Sequence, residues 1–88
     1  MGSRLTSKIR SILKDHFPGI VIDDLRRPRP GGGIGGVLVW DGFSSMEQVE
    51  RQRRIWEVLR ARLTVEEQQS LSLMITLTPD ELRSIRAA

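Results

Sequence analysis

Residues 26–36 read RRPRPGGGIGG, three arginines and two prolines that run into a tract made almost entirely of glycine. Backbone N–H groups in such a tract can cradle a phosphate, and Gly31–Gly36 satisfies the pattern G-x-G-x-x-G. That chemistry needs a strand before the loop and a helix after it, so that the helix N-terminus meets the anion. The residues after this tract read as a strand. A Walker loop also needs Gly-Lys-Ser/Thr, and the tract holds no lysine. The G-x-x-G clamp of KH domains joins two helices, whereas this one joins two strands. The tract therefore reads as a hairpin loop. Pro28 and Pro30 stiffen its first half, and the glycines leave the second half free, with residues 27–36 expected to be flexible. Arg26, Arg27 and Arg29 remain able to touch a polyanion without any cradle.

The other chemistry-bearing residues are few. The chain has no cysteine, which removes disulfides, thiolate metal sites and cysteine nucleophiles together. Its one histidine, His16, stands at the end of a helix, where a cation suits the last carbonyls. Asp23 and Asp24 are neighbours on a strand, so their side chains point to opposite faces and cannot act as a close acid–base pair. No nucleophile–base pair can be assembled, and the expectation is that the chain is not an enzyme.

The elements that position these residues follow from periodicity. Leu5, Ile9, Ile12 and Leu13 have helical spacing over about residues 4–16, and Pro18 and Gly19 stop that helix. GIVIDDL (19–25) and GVLVWDGF (36–43) read as strands joined in an antiparallel hairpin. Ser44 with Glu47, or Ser45 with Gln48, has the spacing of a capping box for a helix running to about Leu63. Its apolar stripe holds Val49, Trp56, Leu59 and Leu63, with Ile55 at one margin. Gln52 falls within that stripe and must find a hydrogen-bond partner, expected to be a backbone group at the helix–sheet seam. Arg51, Arg54 and Arg62 fall on the opposite, solvated face. A short turn of helix at Val65–Gln69 precedes SLSLMITLT (70–78). There Leu71, Leu73, Ile75 and Leu77 alternate with Ser72, Met74 and Thr76, the pattern of a half-buried strand with one face on the core. Thr78, Pro79 and Glu81 cap a last helix.

A strand–helix–strand crossover makes its two strands parallel. The expected fold is therefore α+β: a three-stranded mixed sheet with helices packed on one face, in the order α-β-β-α-(short α)-β-α. At 88 residues the chain is one domain, with residues 1–3 and 87–88 expected to be disordered. The net charge is +3, and the pI of about 10.6 reflects 12 arginines among 14 basic residues. A basic balance permits polyanion binding. No apolar run approaches the roughly 20 residues of a membrane span, and MGSRLTSK lacks the apolar stretch of a signal peptide. A cytoplasmic location is the expectation.

Three stretches, VLVWDGF, then RQRRIWEVL eight residues after Phe43, then SLSLMITLTPDEL, resemble the BolA family. That family has a strand, an aromatic residue, an Arg-His-Arg helix motif, and later a His-Ala-Leu strand followed by Thr-Pro-Glu-Glu. The likeness runs from Ile9 to Leu82 and implies a BolA-like, class II KH-like fold. It also implies a non-enzymatic interaction domain that binds a protein partner, either a monothiol glutaredoxin or a regulatory protein, with a role in stress response or transcriptional regulation. Family members can share a [2Fe–2S] cluster with that partner through a histidine before the last strand and a histidine or cysteine in the first loop. Here the loop has neither, the later histidine becomes Gln69 or Ser70, and the helix-motif histidine becomes Gln52. No catalytic, cofactor-binding or metal-ligating residue is therefore assigned. An alternative is a DNA- or RNA-binding regulator. For a partner or nucleic acid alike, the candidate contacts are Arg26, Arg27, Arg29, Arg51, Arg53 and Arg54. Aromatic residues for base stacking are scarce, so nucleic-acid binding would be mostly electrostatic.

Overall fold

The computed structural model describes residues 3–27 and 29–87. Its elements are α1 (Ser3–His16), β1 (Val21–Arg26), β2 (Ile34–Val39), a short 3₁₀ helix (Asp41–Ser45), α2 (Gln48–Arg62), α3 (Val65–Gln69), β3 (Leu71–Leu77) and α4 (Pro79–Ala87). The sheet has the order β1-β2-β3, antiparallel between β1 and β2 and parallel between β2 and β3, as the crossover through α2 requires. This is the expected α+β arrangement. Ser3 and Ala87 are the terminal residues of α1 and α4; residues 1, 2, 28 and 88 lie outside the described residues.

One face of the sheet carries the core. Ile9, Ile12, Leu13 and Phe17 of α1 and its C-terminal turn meet Ile34 and Leu38 of β2, Met74 of β3, and Ile55, Leu59 and Leu63 along α2. Phe43 closes the end of the core beside Phe17 and Trp40. The Trp40 ring stands edge-on to both, with centroids 5.2 Å away in each case, and its Nε1 donates to Pro18 O at 2.8 Å. Gly19 takes a left-handed conformation (φ 84°) just after α1, the turn expected from Pro18-Gly19.

Four details differ from the sequence expectation. First, the glycine tract is not free throughout. β2 begins at Ile34, whose side chain is fully buried, and a Cβ on Gly33 would lie 2.6 Å from Ser72 Cβ. A Cβ on Gly35 would lie 2.8 Å from Leu73 O. These glycines let the strands approach closely, so the loop proper is limited to residues before Gly33.

Second, the face of β3 on the core is that of Met74 and Thr76, while Leu73 and Ile75 are exposed. The pairing Ile34↔Leu71 followed by Gly36↔Met74 puts one extra residue in β3. That bulge flips the alternation, because each one-residue slip exchanges the faces. Third, neither serine caps α2. Ser44 and Ser45 end the 3₁₀ helix, and Glu47 occupies the cap position without a side-chain cap bond.

Fourth, α2 is rotated relative to the expected stripe. The buried row is Arg51, Ile55, Leu59 and Leu63 at successive i+4 positions, and Val49 is 73% exposed. By contrast, the cap of the last helix is as read, and α3 has a similar cap that the sequence reading did not name. Thr64 and Glu67 form a reciprocal capping box, and so do Thr78 and Glu81, with Glu81 N donating to Thr78 Oγ1 at 3.1 Å and Thr78 N to Glu81 Oε1 at 2.8 Å.

Candidate interaction surface

α2 carries two adjoining polar strips, and their surroundings differ. The flank toward β3 is saturated with hydrogen bonds. Because β3 is an edge strand, its outward carbonyls need partners, and α2 supplies them. Gln52 Nε2 donates to Met74 O at 2.8 Å, which is the seam bond expected of a glutamine in that position. Gln48 Nε2 donates to Thr76 O at 3.1 Å, and Thr76 Oγ1 donates back to Gln48 Oε1 at 2.8 Å. Trp56 Nε1 donates to Gln52 Oε1 at 3.2 Å.

Arg51 is the centre of this seam. It is only 5% exposed, which corrects the expectation that it lies on the solvated face. Its Nε donates to Met46 O at 3.0 Å, and its two terminal nitrogens donate to Glu81 Oε1 and Oε2 at 2.7 and 3.3 Å. The guanidinium carbon stands 5.8 Å from the centre of the Phe43 ring. A buried guanidinium is tolerable only when its donors are matched, and the fork of Glu81 matches two of them. The hydrogen bond from Arg51, followed by that from Thr78 N–H, holds the Glu81 carboxyl below the usual glutamate range. The seam thereby ties α4 to α2. Glu67 is lowered in the same way, first by the hydrogen bond from Lys8 and then by that from Thr64 N–H, and the Lys8–Glu67 pair (2.8 Å) ties α3 to α1.

Beside this seam, and sharing Gln52 and Trp56 with it, Val49, Gln52, Arg53, Trp56 and Arg60 form one stripe of α2, and Gln68 of α3 also lines it. The result is a shallow groove of about 490 Å³. Trp56 is half-buried within it. Arg60 Nε donates to Trp56 O at 3.2 Å, and Gln68 Nε2 donates to Leu63 O at 3.0 Å. No carboxylate lines the groove. A second exposed surface lies on the sheet face away from α1 and α2. Leu73 (67% exposed) and Ile75 (43%) lie there, and Val37 with Gly35 and Gly36 completes a shallow strip bordered by the Asp24–Arg26 ion pair.

The six arginines named from the sequence are not brought together. Arg51 is buried. Arg26 pairs with Asp24 at 2.8 Å, and Arg27 donates to Gly32 O within its own loop. Arg29, Arg53 and Arg54 are exposed, and among the described residues none has an ion-pair partner. The two aspartates are also separately engaged, Asp24 by Arg26 and Asp23 by Arg86 at 3.3 Å. His16 is exposed, and its Nε2 lies 3.3 Å from Arg62 Nη1 rather than on a helix carbonyl. Sequence reading missed the groove as a unit. It had set Trp56 and Val49 in a core stripe, and neither Arg60 nor Gln68 was singled out.

The donor set does not fit an iron–sulfur cluster. Such clusters are held by thiolate or imidazole. At the positions equivalent to the family's later histidine stand Gln69, exposed, and Ser70, whose hydroxyl lies 3.5 Å from Glu66 O. Among the described residues no group of three or more His, Asp or Glu side chains is arranged to hold a metal. No helix among them is long and apolar enough to cross a membrane.

No protein-family model matches the sequence, and no curated protein matches it. Solved structures do. BolA1 from Arabidopsis thaliana superimposes with a TM-score of 0.58 at 24% identity, covering 88% of this chain and 94% of its own. The BolA domain of SufE1 from Arabidopsis thaliana gives 0.59 at 24% identity, covering 92% of this chain and 98% of its own. The chain has a BolA-like fold.

Proposed function

We propose that this domain is a non-enzymatic interaction module that binds a protein partner and supplies no iron–sulfur ligands of its own. The observation that carries the reading is a contrast within one small fold. No buried side-chain polar atom among the described residues lacks a partner, yet Leu73 and Ile75 stand exposed together on the open face of the sheet. Exposed apolar patches rimmed by polar groups mark interaction surfaces. The fold itself is also found as a domain of SufE1. From the family resemblance, a monothiol glutaredoxin is the first partner to try. Because Gln69 and Ser70 replace the histidine, binding should not require iron. Titration calorimetry against a purified monothiol glutaredoxin, with and without iron, tests this. Equal heats in both conditions support the reading, and silence in both removes glutaredoxin as the partner.

A second reading, a regulator that binds DNA or RNA, is favoured by the exposed Arg29, Arg53 and Arg54, which have no ion-pair partner among the described residues. It predicts affinity that falls steeply with salt, with a log–log slope set by the number of phosphates neutralised. Titrating short DNA and RNA at two salt concentrations separates the two readings, since absence of binding at low salt eliminates the second.

A further inference from the structure

We infer that the groove between α2 and α3 is the docking site for an acidic peptide segment that carries one aliphatic or aromatic anchor residue. This rests on the reading of the domain as a protein-binding module and names the chemistry of the partner.

Charge complementarity selects an acidic occupant. Two guanidinium groups, Arg53 and Arg60, line the groove, and no carboxylate does. Their states leave them available. Arg53 has no ion-pair partner among the described residues, and Arg60 uses only its Nε, on Trp56 O, which fixes the side chain and leaves its terminal nitrogens free. The other polar groups are largely engaged. The Gln52 amide bonds Met74 O and Trp56 Nε1, so the indole N–H has no bond left to offer and the Trp56 ring presents only apolar surface. Gln68 donates to Leu63 O and keeps its carbonyl oxygen free to accept an N–H from an incoming backbone.

The spacing makes the preference specific. Arg53 and Arg60 are seven residues apart on α2, about 10 Å along the axis at 1.5 Å per residue. Side chains alternate along an extended chain, so residues two and four positions apart share a face, about 7 and 13 Å from the first. Two carboxylates four positions apart therefore reach the two guanidiniums through their flexible side chains, and the residue midway between them faces Trp56. Val49 stands 73% exposed one turn beyond Arg53 and extends the apolar floor. A nucleic-acid strand fits less well. Sequence-tolerant binding stacks successive bases on several rings, and Trp56 is the sole ring in this groove, since Trp40 is packed between Phe17 and Phe43.

The test is selection of a random 12-residue peptide display library on the intact chain, with Arg53→Glu/Arg60→Glu as the counter-screen and a dT20 oligonucleotide as a separate probe. Expected are enriched peptides with two acidic residues about four apart and Leu, Ile, Phe or Trp midway between them. The best of them, synthesised and titrated, should bind at least tenfold more weakly to Arg53→Glu/Arg60→Glu and to Trp56→Ala. It should bind unchanged to Lys14→Glu, and its amide shift changes should centre on residues 49–60 and 68. The unfolding midpoint of each variant confirms the fold, and Arg53→Gln/Arg60→Gln replaces the reversal if the latter unfolds. Enriched peptides that lack acids, or that bind the double variant equally, overturn the inference while leaving the protein-binding reading intact. No enriched peptide, together with dT20 binding that the double variant loses, overturns both. No binding of either probe overturns the inference.

Discussion

Arg51 and Arg53 lie two residues apart on the same helix, and their situations are opposite. Arg51 is buried, bonded to Met46 O and forked onto Glu81, while Arg53 stands in solvent beside a groove without acids. The difference teaches that on α2 the arginine charge itself assigns no role. The angle at which each side chain leaves the helix decides whether it closes the fold or waits for a partner. Positions 51, 55, 59 and 63 form the row that faces the core, so an arginine at the head of that row is drawn under α4. Position 53 is turned roughly 200° from it at 100° per residue.

The sharpest way to break this comparison is to remove the seam arginine. Arg51→Met strips Met46 O of its guanidinium donor and leaves Glu81 with only Thr78 N–H, and it should destabilise the domain by about 2–3 kcal/mol. The lower part of the range for buried pairs applies because Glu81 is 42% exposed and can rehydrate. Chemical denaturation monitored by tryptophan fluorescence measures it. A smaller loss is expected from Gln52→Leu, which strands Met74 O and Trp56 Nε1 at the seam. It should cost about 1–2 kcal/mol in the same assay.

Acid sharpens the comparison in another way. Glu81 binds its proton less readily in the folded state than in the unfolded one, because Arg51 and Thr78 N–H stabilise its charge. Its contribution is fully present above the unfolded glutamate value of about 4.3 and is lost as pH falls through the lowered folded value. Glu67 has the same sign through Lys8. Stability should therefore decline on acidification through and below about pH 4.3, and Glu81→Gln should flatten part of that decline. A denaturation midpoint followed from about pH 6 to pH 3 reads it directly. The smallest effect is expected on the groove side, where Arg53→Ala and Arg60→Ala should each change stability by no more than about 0.5 kcal/mol.

How much of this was legible in the sequence depends on distance along the chain. Element order and the strand directions were, because period-2 and period-3.6 patterns and local caps such as Thr78–Glu81 act over a few residues. The glutamine at position 52 was legible too, since a polar residue among apolar neighbours must bond something. The face of β3 was not. Its alternation is real, but one extra residue opposite Gly35 exchanges the two faces, and the resulting open face is itself apolar at Leu73 and Ile75. The phase of α2 was also hidden. Arg51 reads as a surface residue until Glu81, thirty residues later, is brought beside it, and Val49 reads as core until the helix is seen to turn it away. The groove joins α2 to Gln68 of α3 and has no local signature. The arginines of the glycine loop were conspicuous in the sequence, yet Arg26 and Arg27 are held by Asp24 and Gly32 O, so conspicuousness did not measure availability.

The central claim is that position on α2, not residue type, separates the structural arginine from the available one. Paired urea unfolding of Arg51→Met and Arg53→Met, the same substitution two residues apart, tests it most directly. The account predicts a loss of about 2–3 kcal/mol for the first and no more than about 0.5 kcal/mol for the second. Equal losses in the two variants, or a larger loss at Arg53, would contradict it.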